Sequence, residues 1–195
     1  MIWSKEKDSW RANCNVYNSL KFYKHCVTVG KVWPWWLFAK CFPYYVSQCR
    51  QLLNILVGNH VISERLRQKG VSRMCQQCAM MVEDSIPHML FECECAANVR
   101  RHLWTDIIQS SPTALYQEMT RMSNTDLYIF WMSGFNSTCF IKEWSEMYIN
   151  ICKFVSVIYA HKISMMNQYY QPLYYNGYMC LCELYYNENY CKCSS

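Results

Sequence analysis

The stretch that most constrains this chain is "CQQCAMMVEDSIPHMLFEC", from Cys75 to Cys93. It gathers three cysteines and one histidine, and no comparable constellation occurs elsewhere in the sequence. A tetrahedral zinc site needs four soft or borderline ligands, and a CxxC turn presents two thiolates to one ion. Cys75 and Cys78 form that first pair. His88 and Cys93, with four residues between them, form the second. Cys95 is a rival for the fourth position. The competing readings are a disulfide pair or unrelated thiols, because free cysteines are often simply small buried hydrophobes. Four protein ligands leave no open coordination position, so Zn2+ held here is structural rather than catalytic.

Presentation of the second pair is the difficulty. Ser85 suits a helix cap and Pro87 suits a first turn. On an ideal α-helix, residues five apart point roughly 140° away from each other. The helix must therefore loosen or end near Cys93. "AMMVED" reads as a loop or hairpin between the two pairs, and Glu83, Asp84 and Glu92 read as solvated loop acids.

Composition limits the fold around this element. The 195 residues are 52% hydrophobic and 17% charged, which fits a globular chain with a core. Only five glycines and five prolines favour helices joined by short loops over a turn-rich β-sandwich. Fourteen cysteines without a signal-peptide pattern point to reduced thiols or metal binding, hence an intracellular, nuclear or cytoplasmic setting. No apolar run reaches the roughly 18 residues needed to span a bilayer, so no membrane partner is expected. The net charge of +5 is compatible with a nucleic-acid partner.

The expected fold class is mainly α: a helical domain organised around a small CCHC zinc knuckle, with a poorly ordered Tyr/Cys-rich tail. Residues 1–70 form an N-terminal helical region. Within it, 4–28 carry an apolar helical face, and "KVWPWWLFAKCFPYY" reads as a loop or proline-broken helix with Trp33, Trp35, Trp36 and Phe38 in the core. An aromatic stacking platform for bases is the alternative for that run. Val46, Cys49, Leu52, Leu53, Leu56 and Val57 repeat at helical spacing up to Gly58, a left-handed stop. A second short helix ends at Gly70. Residues 71–110 hold the knuckle and its following helix. Residues 111–167 form C-terminal helices, with Ser111 as N-cap and Pro112 at the first position of one of them. A short helix spans about 125–133, and the longest runs from about 139 to 165 on a stripe of Phe140, Trp144, Met147, Tyr148, Ile151, Phe154, Val155 and Ile158. Residues 168–195 form the tail, whose Cys180, Cys182, Cys191 and Cys193 make two CxC pairs.

The densest basic segment, Arg65, Arg67, Lys69 and Arg73, leads into Cys75; Arg100 and Arg101 follow Cys93. These six are the expected phosphate contacts for RNA or DNA. Their ordinary alternative is a solvated helix face. No nucleophile elbow or phosphate-binding glycine loop is visible, and His25, His60, His102 and His161 stand isolated. The chain is not expected to be an enzyme by itself.

The stretch "LLNILVGNHVISERLRQKGVSRMCQQCAMMVEDSIPHMLFECECAANVRRHLW" resembles the zinc-binding segment near the C-terminus of non-LTR (LINE-like) retrotransposon reverse-transcriptase polyproteins. The shared elements are a helix ending in Gly58, a short helix ending in Gly70, the Cys75–Cys78 pair, the "HMLFEC" element and a helix ending near Trp104. The match covers about a quarter of the chain. Pro87 before the histidine and the tyrosine-rich tail depart from the family pattern. The resemblance implies a module that helps to hold template RNA or target DNA, with reverse-transcriptase domains of a parent polyprotein as partners; the alternatives are a zinc-stabilised structural or protein-interaction module and a nonfunctional fragment of such an element. Polymerase and endonuclease signatures are missing from this sequence.

Overall fold

The computed structural model describes residues 12, 20, 22–27, 31–60, 72–78, 80–135 and 141–169, with side chains to 166. The expected helical segment 4–28 is therefore described mainly at its end, as α1, Tyr23–Cys26. The expected helix ending at Gly70, with Arg65, Arg67 and Lys69, lies outside the described residues, as does the tail with its CxC pairs. The fold is mainly α. Among the described residues the one strand-like pairing is an isolated bridge between Met74 and Glu83.

Two prolines divide the aromatic run into helical pieces. Pro34 opens α2, Pro34–Cys41, and Pro43 opens a 3-10 turn, Pro43–Tyr45, that leads into α3, Val46–Leu56. Each proline stands in a first turn, where its missing N–H costs nothing. Trp33, Trp35 and Phe38 are buried and Trp36 is half-buried. The indole N–H of Trp33 donates to the Met132 carbonyl at 2.7 Å, and that of Trp35 to the Trp131 carbonyl at 2.9 Å. Trp33 and Trp35 are thus core rings, whereas Tyr44 of the same run is exposed. Cys49, Leu52 and Leu56 of α3 are buried as their spacing predicts, whereas Val46 is exposed. Gly58 (φ 73°) ends this segment.

After the cysteine–histidine segment come α4, Ala97–Ser110, α5, Thr113–Met119, and α6, Asn124–Met132. The expected cap at Ser111 is displaced. Ser111 closes α4, donating its hydroxyl to the Ile107 carbonyl at 2.6 Å, and Pro112 takes the cap position of α5. The hydroxyl is thus spent on the preceding helix, and the first bond of α5 runs from the Tyr116 N–H to the Pro112 carbonyl at 2.9 Å. Ser123 caps α6 by accepting the Asp126 N–H at 3.2 Å. Gly134 (φ 65°) turns the chain beyond α6, and a Cβ there would lie 2.4 Å from Pro34 Cβ.

The longest helix, α7, spans Ser145–Tyr169, beginning later than the 139 expected because 141–144 form turns. Met147, Tyr148, Ile151, Phe154, Val155 and Ile158 are all buried and Trp144 is half-buried, so the described part of the stripe is core; Phe140 lies outside the described residues. α7 packs against α3, α4 and the turn His88–Glu92. Its Phe154 joins Phe91, Trp104 and Trp131 in an aromatic cluster, with Phe91–Trp131 centroids 5.2 Å apart and Trp131–Phe154 centroids 5.3 Å apart. Edge-to-face pairs of this kind add about 0.5–1.5 kcal/mol each beyond their buried area. Phe91 lies in the turn His88–Glu92, so the segment that presents His88 is also anchored in the core.

Candidate metal centre

The first pair sits on a hairpin. The Cys75 N–H donates to the Val82 carbonyl and the Asp84 N–H to the Arg73 carbonyl, each at 2.8 Å. Met81, at φ 52°, takes the left-handed conformation that reverses the chain at the tip. "AMMVED" is thus the expected hairpin. Ser85 then caps the helical start, its hydroxyl accepting the His88 N–H at 3.2 Å.

His88–Glu92 is a π-helical turn, closed by the Cys93 N–H on the His88 carbonyl at 2.8 Å. This resolves the expected 140° conflict. A ring closed from residue i to i+5 is wider than an α-turn, so His88 and Cys93 share a side. A widened turn leaves carbonyls needing donors. Arg100 supplies them: one guanidinium N–H reaches the Leu90 carbonyl at 3.4 Å and another the Cys93 carbonyl at 2.9 Å.

The result brings Cys75, Cys78, His88 and Cys93 together, with one ligand atom of each lying within 4.8 Å of all the others. Cys75 Sγ is 3.8 Å from Cys93 Sγ, and Cys78 Sγ is 3.5 Å from His88 Nε2. Cys75, His88 and Cys93 are buried, and Cys78 is half-buried. No disulfide joins them. The group is compatible with a bound metal ion. Cys95 lies outside the four, with its sulfur 3.1 Å from Cys93 Sγ.

Around the four stand residues the sequence reading passed over. Glu92 is no loop acid: its Oε2 accepts the His88 Nδ1–H at 3.3 Å and its Oε1 accepts an Asn124 N–H at 2.7 Å. The carboxylate fixes the tautomer that turns Nε2 toward the cysteines. The i,i+4 spacing of His88 and Glu92 was the available signal. Asp84 is likewise not solvated. It is buried and paired with Lys162 of α7 at 2.9 Å, and Lys162 Nζ also lies 3.1 Å from Cys75 Sγ. Glu83 alone of the three acids is exposed. His161 is packed, its Nε2–H donating to the Cys95 carbonyl at 2.8 Å.

Proton affinities follow these contacts in the absence of an ion. The Cys93 thiol pushes His88 up to about 9 against the opposing pull of burial, with Glu92 adding to the rise. Cys93 is pushed up to about 11 by its contact with Cys95 and by burial. Burial raises Cys78, partly opposed by the Met80 N–H. Asn124, ahead of His88, holds Glu92 below the usual carboxylate range although burial opposes it. Burial pulls Lys162 down, but Asp84 and then Cys75 outweigh it and the net shift is upward.

Of the expected phosphate contacts, Arg73 and Arg101 are exposed on either side of the cluster, and Arg100 is occupied with the π-turn carbonyls. No helix among the described residues is long and apolar enough to cross a membrane. The chain matches no known family model, no curated protein and no solved structure.

Proposed function

We propose that this chain is a zinc-organised nucleic-acid-binding module, of the kind found at the C-terminal end of non-LTR retrotransposon reverse transcriptases, and not itself an enzyme. The observation that carries the zinc reading is the geometry of the four ligand atoms. Zn–S bonds of about 2.3 Å and Zn–N bonds of about 2.0–2.1 Å put the sulfur–sulfur edge of a tetrahedron near ~3.8 Å and the sulfur–nitrogen edge near ~3.5 Å. The Cys75–Cys93 and Cys78–His88 separations match those edges. Three thiolates and an imidazole in a tetrahedron select zinc among common divalent ions. Zinc would supply folding energy here, joining the hairpin to the π-turn, and Cys75, Cys78, His88 and Cys93 would fill its coordination shell.

Nucleic-acid recognition would fall to the cations around it. Arg73 and Arg101 are exposed beside the cluster, and Arg65, Arg67 and Lys69 precede it in the sequence. RNA or single-stranded DNA is the proposed partner, held through phosphates, with an affinity that falls steeply as salt rises. The test is fluorescence anisotropy with labelled RNA and single-stranded DNA, on zinc-loaded chain across a salt series. Alanine at Arg65, Arg67, Lys69, Arg73 and Arg101 should abolish binding and leave the helical circular-dichroism signal intact. No binding by the wild type at low salt would refute the reading.

A second reading, a zinc-stabilised protein-interaction module, is favoured by one observation. Met74, Met80 and Met81 project from the hairpin at 45%, 43% and 75% exposure. Flexible exposed methionines suit adaptable protein surfaces. If those alanine substitutions leave nucleic-acid binding unchanged, this second reading is preferred.

A further inference from the structure

Lys162 stands 87 residues from Cys75 in sequence, belongs to no motif and is only 1% exposed. A buried ammonium needs its charge and its donors matched. Asp84 Oδ1, at 2.9 Å, matches the charge, and Cys75 Sγ, at 3.1 Å, takes another donor direction. The choice of a sulfur as acceptor has a chemical reading. A dication bound by three thiolates and a neutral imidazole carries one surplus negative charge. Asp84 already balances the ammonium, so the site keeps its surplus charge; the hydrogen bond from Lys162 lowers the electron density on the one thiolate it touches. Lys162 also holds two parts of the fold together at this point. Asp84 belongs to the hairpin strand and Lys162 to α7, and Gln77, between the first two cysteines, donates to the Lys162 carbonyl at 3.4 Å.

We propose that Lys162 is a positioning residue of the metal centre: its ammonium hydrogen-bonds the Cys75 thiolate, tempers the charge on that one sulfur and makes metal affinity depend on the docking of α7. The proposal rests on the reading of Cys75, Cys78, His88 and Cys93 as zinc ligands. It predicts that the three thiolates are unequal, with Cys75 the least reactive.

The experiment titrates the full chain with Co2+ as a coloured stand-in for zinc, following the thiolate-to-cobalt charge-transfer band, and with Zn2+ against a chromophoric chelator. The variants are Lys162→Met, Lys162→Met with Asp84→Asn, and Lys162→Arg. The double variant removes both charges together, so it keeps the core neutral where the single one strands Asp84. In the folded double variant, metal affinity is expected to fall about 10–100-fold, the range for losing an outer-shell partner. The charge-transfer band is expected to move to lower energy, as it does for a more electron-rich sulfur. Alkylation of Cys75 in the metal-loaded chain is expected to quicken. Lys162→Arg, which keeps a charged donor, is expected to restore most of the affinity and the band position. A double variant with wild-type affinity and an unmoved band overturns the proposal. A loss in the single variant that the double variant repairs also overturns it, because the defect then belongs to Asp84. No cobalt uptake by the wild type overturns the metal reading itself, and this proposal with it.

Discussion

Glu92→Gln isolates the contribution of a residue that would act on a bound ion only through His88. Both carboxylate oxygens are engaged, Oε2 by His88 Nδ1–H and Oε1 by the Asn124 amide. Glutamine copies the shape but offers one acceptor oxygen and one NH2 group. Whichever way the amide lies, one of the two incoming donors meets another donor. A hydrogen bond to a charged acceptor is worth about 1.5–3 kcal/mol. The Glu92 side chain is 38% exposed, so water competes and the lower end applies. About 1.4 kcal/mol is a tenfold change in an equilibrium constant. Zinc affinity of Glu92→Gln is therefore expected to fall about tenfold, at the mild end of the range for outer-shell partners. The assay is competition with a chromophoric chelator on the full chain, with His88→Ala as the reference for loss of a ligand. An affinity within about twofold of wild type would refute the idea that the carboxylate orients the imidazole. A loss as large as that of His88→Ala would refute it as well, since Glu92 would then be behaving as a ligand.

Further outcomes follow from other parts of the molecule. Cys78→Ser should abolish stoichiometric metal by elemental analysis while Cys95→Ser keeps one ion per chain, because only Cys78 belongs to the four converging residues; the reverse result would move the fourth ligand to Cys95. Metal affinity should climb with pH through about 9 and on toward about 11, because an ion must displace protons first from His88 and then from the raised Cys93 thiol. The metal-free chain should show the opposite slope: stability from a raised His88 is complete below its ordinary 6.5 and lost as pH rises through about 9. Urea unfolding with and without chelator at several pH values checks both, and a pH-independent affinity would count against histidine ligation. Gly134→Ala should cost about 2–4 kcal/mol, from a left-handed alanine and the Pro34 clash, read as a lowered melting temperature. Arg100→Ala should destabilise by about 1–3 kcal/mol through the unmet carbonyls of Leu90 and Cys93, while exposed Arg101→Ala stays within about 0.5 kcal/mol.

The sequence carried those features that repeat or sit close together. The stripe of α7, the proline-divided aromatic run and the stop at Gly58 all follow from local periodicity and the special backbone of two residue types. The four clustered cysteines and histidine were legible for the same reason: all lie within one short segment. What escaped the reading depends on distance or on a competing local rule. Lys162 reaches Cys75 only because α7 folds back across the hairpin. Asp84 looked like a loop acid because nothing near it in sequence is its partner. Ser111 looked like a helix cap, but its hydroxyl turns back to the Ile107 carbonyl of the preceding helix. Glu92 was within reach of pattern reasoning, and was passed over because a carboxylate beside a cysteine cluster is most often solvated.

The π-turn at His88–Glu92 sets where this site can tolerate a change of length. The hydrogen bond from Cys93 to His88 closes a ring with a fixed number of residues. Deleting one residue inside it would let the chain relax into an ordinary α-turn and swing one ligand away from the other. It would also pull Phe91 out of phase with Trp131 and Phe154. The hairpin between Cys78 and His88 has no such closure at its exposed tip, where a longer loop costs little entropy. Chains built on this plan are therefore expected to vary in length between Cys78 and His88 and to keep the His88–Cys93 interval fixed, so that the second ligand pair behaves as one rigid part and the first as an adjustable arm.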